Sequence, residues 1–300
     1  MKIAITTPAG HVGSAVADFL LDFGRDISVK LLARRPERLQ AFTQRGAQLW
    51  IGSQDDADFL IKATQDVDAL FWVTPPGYGS DDVRALQNRF GKAGATAVRT
   101  NHISRIVNLS SIGAQFAAGV GPINGLHDVE KWFDDAAAHV THLRPGFFFE
   151  NLLWHADSVK KEGNLSLPLS GSLRYPMIAT RDIGAVAVQR LLDQKWVGHC
   201  VRELHGPADL SYDEVAGILS KALGRKIVYV KGEREELRQL MLDHAIGENA
   251  ADLMLEMYDA IETGKLRPIQ PRWEETTTPT TLLEFVYDAI VPMAAAPVAH

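Results

Sequence analysis

The chain has 300 residues, 46% of them hydrophobic and 23% charged, and 31 Lys and Arg against 37 Asp and Glu give a formal net charge of −6. This composition indicates a globular protein with a sizeable core and excludes a disordered chain. The net acidity disfavours a nucleic-acid partner, because such proteins present a basic face to phosphates.

The sequence offers no signal for export or membrane insertion. We expect no signal peptide and no membrane-spanning helix, since no long uninterrupted apolar run occurs. A single cysteine, Cys200, cannot form an intramolecular disulfide, and no Cys and His residues have the spacing of a zinc site. We therefore expect a cytoplasmic protein with no metal and no membrane partner.

Short apolar runs alternate with helical patterns over residues 1–150. The runs are KIAIT, ISVKLLA, AQLWIG, DALFWV, RIVNLS and VTHLRP. Such alternation is typical of βαβ units, so we predict an α/β domain with a parallel sheet.

Helix signals lie between these runs. The first helix has an apolar stripe that Gly24 ends: Val12, Val16, Phe19, Leu20 and Phe23. A second helix is predicted from Pro36 to Gly46, because proline favours the first helical position and glycine follows the last. Three aspartates indicate the start of a third helix: Asp55, Asp56 and Asp58.

The regular alternation ends after residue 150. Residues 151–175 are interpreted as loop or short strands. A helix is predicted for RDIGAVAVQRLLD, and a second helix, capped by Ser211, for SYDEVAGILSKALG. The strand KIVYV follows this second helix. Asp182 and Asp209 are interpreted as helix caps. We predict a smaller α+β lobe over residues 151–300, of which 176–206 return to the first domain, and a frayed end at AAAPVAH.

A glycine-containing turn, Thr7-Pro8-Ala9-Gly10-His11-Val12-Gly13, joins the first strand to the first helix. Glycines at such a turn let the backbone approach a pyrophosphate, whose charge lies at the helix N-terminus. The spacing is GxxGxxG with Thr7 at the first glycine position, which predicts a dinucleotide site in its expected context. The alternative is a tight turn that binds nothing.

The end of the second strand indicates which dinucleotide would bind. An acidic residue there would hold the ribose hydroxyls of NAD, but the sequence is Ala33-Arg34-Arg35-Pro36-Glu37-Arg38. Because guanidinium groups bind phosphate oxygens well, we predict NADP(H) in preference to NAD(H). The alternative is a solvated arginine cluster at the start of a helix.

Several motifs in order resemble the NmrA-like NAD(P)-binding proteins, a branch of the atypical short-chain dehydrogenases. They are TPAGHVG, LARRPERL, GSQDD, NLSS, LRPGFFFENLL, ATRDIGAVA and HGPADLSYDEVAGILSKALGR. The resemblance implies a Rossmann doubly wound parallel sheet, a smaller C-terminal lobe, and a cleft for NADP(H) and a small-molecule substrate. The resemblance also implies binding positions for each part of the cofactor. The pyrophosphate would be bound by Thr7, Gly10, His11, Val12 and Gly13, and the 2′-phosphate by Arg34 and Arg38. Ser53 and Gln54 would lie near adenine, and the ribose and nicotinamide would lie near Thr74, Pro75, Pro145 and Phe148.

The sequence lacks the Tyr-x-x-x-Lys pair with which the wider superfamily passes a proton to a carbonyl. If Glu130 in GPINGLHDVEKWFDDA is aligned with the family's acidic residue, Pro122 and Leu126 lie near the expected places. His127 is the remaining candidate proton donor toward a quinone or enone oxygen, and the alternative is a surface histidine at a helix start. Ser110 and Ser111 are further polar groups at a strand end.

Two functions follow from these features. The aromatic segment Phe147-Phe148-Phe149 with Leu152, Leu153 and Trp154 is suited to a flat pocket, which favours an NADPH-dependent reductase of a small quinone or conjugated carbonyl. The missing Tyr and Lys favour a non-catalytic NADP(H) redox sensor that acts through a protein partner. The sequence leaves open whether the protein is a monomer or a homodimer.

Overall fold

The computed structural model describes residues 1–24 and 26–295. Part of the AAAPVAH segment, residues 296–300, lies outside the described residues, as does the expectation that it frays. The strands are β1 (Lys2–Thr6), β2 (Ser28–Ala33), β3 (Gln48–Ile51), β4 (Ala69–Val73), β5 (Arg105–Leu109), β6 (His139–Pro145), β7 (Phe147–Phe148), β8 (Asn164–Leu167), β9 (Arg174–Ile178), β10 (Gly198–Leu204), β11 (Asp209–Ser211) and β12 (Val228–Lys231).

Helices connect most of these strands. They are α1 (His11–Phe23), α2 (Gln40–Gln44), α3 (Ala57–Ala63), α4 (Val83–Thr100), α5 (Ile123–Asp134), α6 (Ala156–Lys161), α7 (Thr180–Leu192), α8 (Tyr212–Leu223), α9 (Arg234–Asp243), α10 (Glu248–Glu262), α11 (Leu282–Phe285) and α12 (Val291–Ala295). A 3₁₀ helix spans Phe149–His155, and a π-helical turn spans Val286–Ile290.

A seven-stranded parallel sheet has the strand order β10-β6-β5-β4-β1-β2-β3. The predicted α/β Rossmann architecture is therefore confirmed. The order reverses between β1 and β4, and in such sheets ligands bind in the crevice at the carboxyl ends of the strands on either side of this point. Central strands are covered on both faces, which explains why they are continuously apolar.

Each face of the sheet has its own helices and core. Ile5 of β1 packs in one core with Val16 of α1 and Ile183 of α7. On the other face, Trp72 of β4 packs with residues of α4 and α5, including Phe133. The helices α1 and α7 approach closely because Gly184 has no side chain: an added Cβ would lie 2.7 Å from the Cβ of Ala15.

The C-terminal lobe contains two small sheets, β11-β9-β7 and β12-β8, and helices α8 to α10. The predicted cap of α8 by Ser211 is confirmed, and it is part of a capping box, since the side chains of Ser211 and Glu214 each accept the other's backbone N–H. The segment after α10 returns to the large sheet, where the buried carboxylate of Glu203 accepts the backbone N–H groups of Ile269 and Gln270. A domain boundary near residue 150 remains a prediction.

The prediction for α2 was wrong at its start. The helix begins at Gln40, not Pro36, because the chain first makes a reverse turn in which the N–H of Leu39 donates to the carbonyl of Pro36. This turn places Leu39 in the core. Within α1, Gly24 ends the helix as predicted, but Phe19 and Phe23 are exposed, so the buried stripe is narrower than predicted.

Three predictions in the second half were wrong in whole or in part. Residues 151–175, interpreted as loop or short strands, do contain β8 and the start of β9, but they also include most of the 3₁₀ helix and all of α6. Asp182 does not cap α7: it accepts hydrogen bonds from Thr280. Asp209 lies in β11 and forms an ion pair with Arg272. In both cases, a distant segment of the chain supplies the carboxylate's partner.

Candidate active site

The turn between β1 and α1 is built around close backbone packing. Thr7 adopts a φ of 51°, the left-handed conformation that glycine adopts without strain, and this agrees with its place at the first glycine of the motif. An added Cβ on Gly13 would lie 2.3 Å from the carbonyl oxygen of Thr7, so only glycine fits there. At Gly10 the nearest atoms to an added Cβ lie at 3.5 Å, which is ordinary contact.

The N-terminus of α1 is open to an anion. Gly10 is the N-cap, no side chain caps the helix, and its first turn contains no acidic residue. His11 is exposed at this end, whereas Val12 is buried and fixes the helix on the sheet. Free N–H groups and the positive end of the helix dipole are the usual binding site for phosphate. The turn therefore fits the pyrophosphate of a dinucleotide.

Gln54 connects this turn to the end of β4 by hydrogen bonds. Its side-chain nitrogen donates to the carbonyl of Val73 at 2.8 Å, and its side-chain oxygen lies 3.1 Å from the hydroxyl of Thr7. The ends of β1, β3 and β4 are thereby tied together. Neighbouring Ser53 donates to Asp55.

Arg34, Arg35 and Arg38 follow β2, next to the turn. All three are exposed, and none forms a hydrogen bond or ion pair with a described residue. By contrast, Arg45 is held by Asp18 and Asp22. Unpaired guanidinium groups beside this turn would fit a 2′-phosphate, because they offer charged, planar donors.

Two predicted pairs of residues flank the end of β5. Thr74 is buried after β4 and accepts the indole N–H of Trp72, and Pro75 is half-buried beside it. On the other side, Pro145 is buried at the end of β6 and Phe148 is half-buried in β7. These pairs leave the carboxyl end of β5 between them.

Ser110 and His127 carry buried polar atoms without a hydrogen-bond partner among the described residues, namely Oγ of Ser110 and Nε2 of His127. The other ring nitrogen of His127, Nδ1, lies 2.7 Å from the carbonyl oxygen of Ala114. Because a carbonyl only accepts, Nδ1 carries hydrogen, and Nε2 of the neutral ring is a bare acceptor. Each of these two atoms therefore has hydrogen-bonding capacity that no described residue uses.

The aromatic segment after β6 divides between the core and the surface. Phe149 is buried with its ring 5.6 Å from that of Phe285, and Leu152 is buried in the same core. Phe147 packs edge-on against Tyr212. Trp154 is the exposed member of the segment, and its ring contacts the ring of Tyr78. Burial raises the pKa of the Tyr78 hydroxyl.

Long-range hydrogen bonds hold two segments near this site, and no sequence pattern predicted them. Asn249 accepts the backbone N–H of Val83 at the start of α4, and the N–H of Gly247 donates to the carbonyl of Tyr78. Glu150 accepts the backbone N–H and the hydroxyl of Thr180. Only the folded chain brings these residues together, because they are 30 to 169 positions apart.

The structure brings the predicted cofactor residues to one edge of the sheet, following β1, β2, β3, β4 and β6. His127 lies on α5 and forms no hydrogen bond with them. Their roles remain predictions. Among the described residues, no group of three His, Cys, Asp or Glu side chains could hold a metal ion, and no helix has the length and apolarity to cross a membrane.

Comparison with known proteins identifies a family and a similar enzyme. The model of the NmrA-like family matches residues 1–286. The chain is 31% identical over 258 residues to an NAD(P)H azoreductase of Xenophilus azovorans, which covers 85% of this chain and 86% of that protein.

Two solved structures share the fold. One is an NADPH-dependent quinone oxidoreductase from Escherichia coli complexed with NADPH, with a TM-score of 0.79, 21% identity, and coverage of 95% of this chain and 99% of that one. The other is the triphenylmethane reductase of Citrobacter sp. complexed with NADP(H), with a TM-score of 0.79, 20% identity, and coverage of 98% and 100%.

Proposed function

The chain belongs to the NmrA-like family, and we propose that it is an NADPH-dependent reductase of a small quinone or similar conjugated carbonyl. One observation carries this proposal: the uncapped N-terminus of α1 and the unpaired guanidiniums of Arg34 and Arg38 lie at the same edge of the sheet. The names of the azoreductase and of the two structural relatives support the same reaction class.

The chain's own residues provide the binding site. Gly10 and Gly13 let the backbone approach the pyrophosphate, Arg34 and Arg38 hold the 2′-phosphate, and Thr74 with Pro145 borders the nicotinamide end. Bound NADPH supplies the hydride. The neighbouring half-buried residues Pro75 and Phe148 exclude water from that end.

His127 is the proposed proton carrier. Reduction of a quinone to a hydroquinone takes up one hydride and one proton overall. In the protonated ring, Nδ1–H keeps its bond to the carbonyl of Ala114 while Nε2–H donates to the acceptor oxygen. Pro122 and Leu126, at the usual Tyr and Lys positions, cannot transfer protons.

The cofactor preference is tested with Arg34→Glu. The substituted carboxylate repels the 2′-phosphate, so we expect NADPH affinity to fall at least about tenfold, with NADH affinity changed far less. The measurement is titration of reduced-cofactor fluorescence. Unchanged NADPH affinity would remove Arg34 from the 2′-phosphate site.

The reductase activity is tested by mixing purified protein with NADPH, or separately NADH, and a panel of quinones and unsaturated carbonyls. We expect saturable loss of reduced-nicotinamide absorbance that prefers NADPH. Tight cofactor binding with no turnover across the panel would contradict a reductase.

A second candidate is a non-catalytic NADP(H) redox sensor, which the absence of the Tyr and Lys pair favours. A sensor would change its oligomeric state or its protein partner with the redox state of the cofactor. Size-exclusion chromatography with NADP⁺ and then NADPH separates the candidates, because a change without turnover supports the sensor.

A further inference from the structure

Trp154 is a large aromatic side chain that lies mostly on the surface. It is 67% exposed, and its indole N–H donates to no described residue. Single exposed aromatics are common, so exposure by itself indicates no function. Trp273, which is 53% exposed in the segment after α10, is a second example and serves below as a control.

The backbone beneath Trp154 is firmly held. The 3₁₀ helix that carries it is fixed by buried Phe149 and Leu152 and by the carboxylate of Glu150, which accepts two donors from Thr180. An aromatic ring on a fixed backbone loses little entropy when a ligand stacks on it.

The neighbour of Trp154 is also fixed. The rings of Tyr78 and Trp154 lie 6.4 Å apart at 87°, an edge-to-face contact. Tyr78 accepts the backbone N–H of Gly247 at 2.8 Å, which ties its loop to α10.

The two rings belong to segments that follow strands on either side of β5. Tyr78 follows β4, Trp154 follows β6 and β7, and β5 lies between β4 and β6 in the sheet. Both segments leave the carboxyl ends of strands that belong to this side of the sheet, the same end at which Ser110 follows β5. The topology therefore places Trp154 at the end of the sheet that carries the predicted nicotinamide residues, and most of its indole surface is exposed.

We propose that Trp154 is a stacking platform that makes the site select planar acceptors of several fused rings over single-ring acceptors. The inference rests on the proposed reductase function. A three-ring quinone has outer rings that can cover the indole while its quinone ring is at the reacting position, whereas a single-ring quinone has no second ring to offer. Aromatic stacking of this kind corresponds to about tenfold in affinity.

The test compares two quinones, 9,10-phenanthrenequinone with three rings and duroquinone with one. Their binding is measured by calorimetry on protein saturated with NADP⁺, where no hydride is present. In the wild type we expect tighter binding of the three-ring quinone. Trp154→Ala should reduce the ratio of the two affinities about tenfold, and Trp273→Ala should leave the ratio unchanged.

The same variants are then compared in steady-state reduction of both quinones. Trp154→Ala should raise KM for phenanthrenequinone with little change in kcat, since it alters binding and not chemistry. NADP⁺ affinity and the unfolding midpoint report whether each variant is intact.

The proposal is overturned if the wild type shows no preference for the three-ring quinone, if Trp154→Ala keeps the ratio, or if Trp273→Ala reduces it equally. Preferential binding that depends on Trp154, without reduction of either quinone, would refute the reductase function and leave the platform established.

Discussion

The carboxylate of Glu130 accepts two hydrogen bonds from the guanidinium of Arg144, at 2.9 Å from Nε and 2.5 Å from Nη2. Both side chains are more than nine-tenths buried. Arg144 also donates to the side-chain oxygen of Gln115. The preceding residue, Ala114, provides the carbonyl oxygen that accepts the hydrogen bond of His127. The ion pair thus joins α5 to β6 and supports the loop that orients His127.

Arg144→Met should reduce the free energy of unfolding by about 3–5 kcal/mol, because it leaves the carboxylate of Glu130 buried without a partner. Urea denaturation measures the change. The matched control is Asp157→Asn, whose partner Lys161 is exposed, and it should have no measurable effect. A loss below about 1 kcal/mol in the Arg144 variant would show that the pair is not the anchor described here.

The strands β1 to β6 and β12, helix α1 and the Ser211 cap of α8 could be predicted because each depends on neighbouring residues: apolar runs, helical spacing and a cap residue just before a helix. The Glu130–Arg144 pair could not, because its members lie on a helix and a strand that only packing brings together. Asp182 shows the same limit, since its partner Thr280 lies 98 positions away.

Gly13→Ala should weaken NADPH binding by at least about tenfold, because the added Cβ would lie 2.3 Å from the carbonyl of Thr7 and force the phosphate-binding turn open. Fluorescence titration with NADPH measures the effect. Gly10→Ala is the matched variant. Its added Cβ would lie 3.5 Å from the nearest atoms of Thr7, so this variant should fold without strain. Equal NADPH affinity of wild type and the Gly13 variant would refute this role for the turn.

His127→Asn should lower kcat about 100-fold, the lower end of the range for a proton-transferring group. The asparagine amide can still donate to the carbonyl of Ala114, but it has no counterpart of Nε2. NADPH affinity should not change. His244→Asn is the control, since Nδ1 of His244 makes the same bond to a carbonyl, that of Leu240, on an exposed helix end. Wild-type kcat in the His127 variant would exclude it as proton carrier.

Glu203 makes stability depend on pH. Burial disfavours its charged form, but hydrogen bonds from His205 and from the N–H groups of Gln270 and Ile269 outweigh burial and lower its pKa. The unfolded chain therefore takes up the proton first as pH falls, and the stabilisation is lost from the ordinary glutamate pKa of 4.5 downward to the lowered folded value.

Thermal unfolding across this pH range tests the assignment with Glu203→Gln, which cannot titrate. The difference in Tm between wild type and variant should be largest near neutral pH and shrink as the solution is acidified below the ordinary glutamate pKa. A constant difference would mean that the charge of Glu203 does not stabilise the fold.

The site was less predictable than the fold. The glycine-containing turn after β1 and the arginines after β2 are local motifs, and the structure brings them to one edge of the sheet. The aromatic segment Phe147–Phe149 was interpreted as pocket lining, but Phe149 packs against Phe285, which lies 136 positions away. The orientation of His127 depends on the carbonyl of Ala114, and a backbone acceptor has no signature in a sequence.

The measurement that tests the central claim most directly is single-turnover oxidation of bound NADPH, followed by stopped-flow absorbance after mixing with a quinone. NADPH deuterated at each face of C4 is compared with the unlabelled cofactor. A reductase should oxidise the bound cofactor in one exponential phase that is slower for one labelled face only, because the hydride moves directly to the acceptor. Bound NADPH that stays reduced with every acceptor would contradict this account and leave the redox sensor.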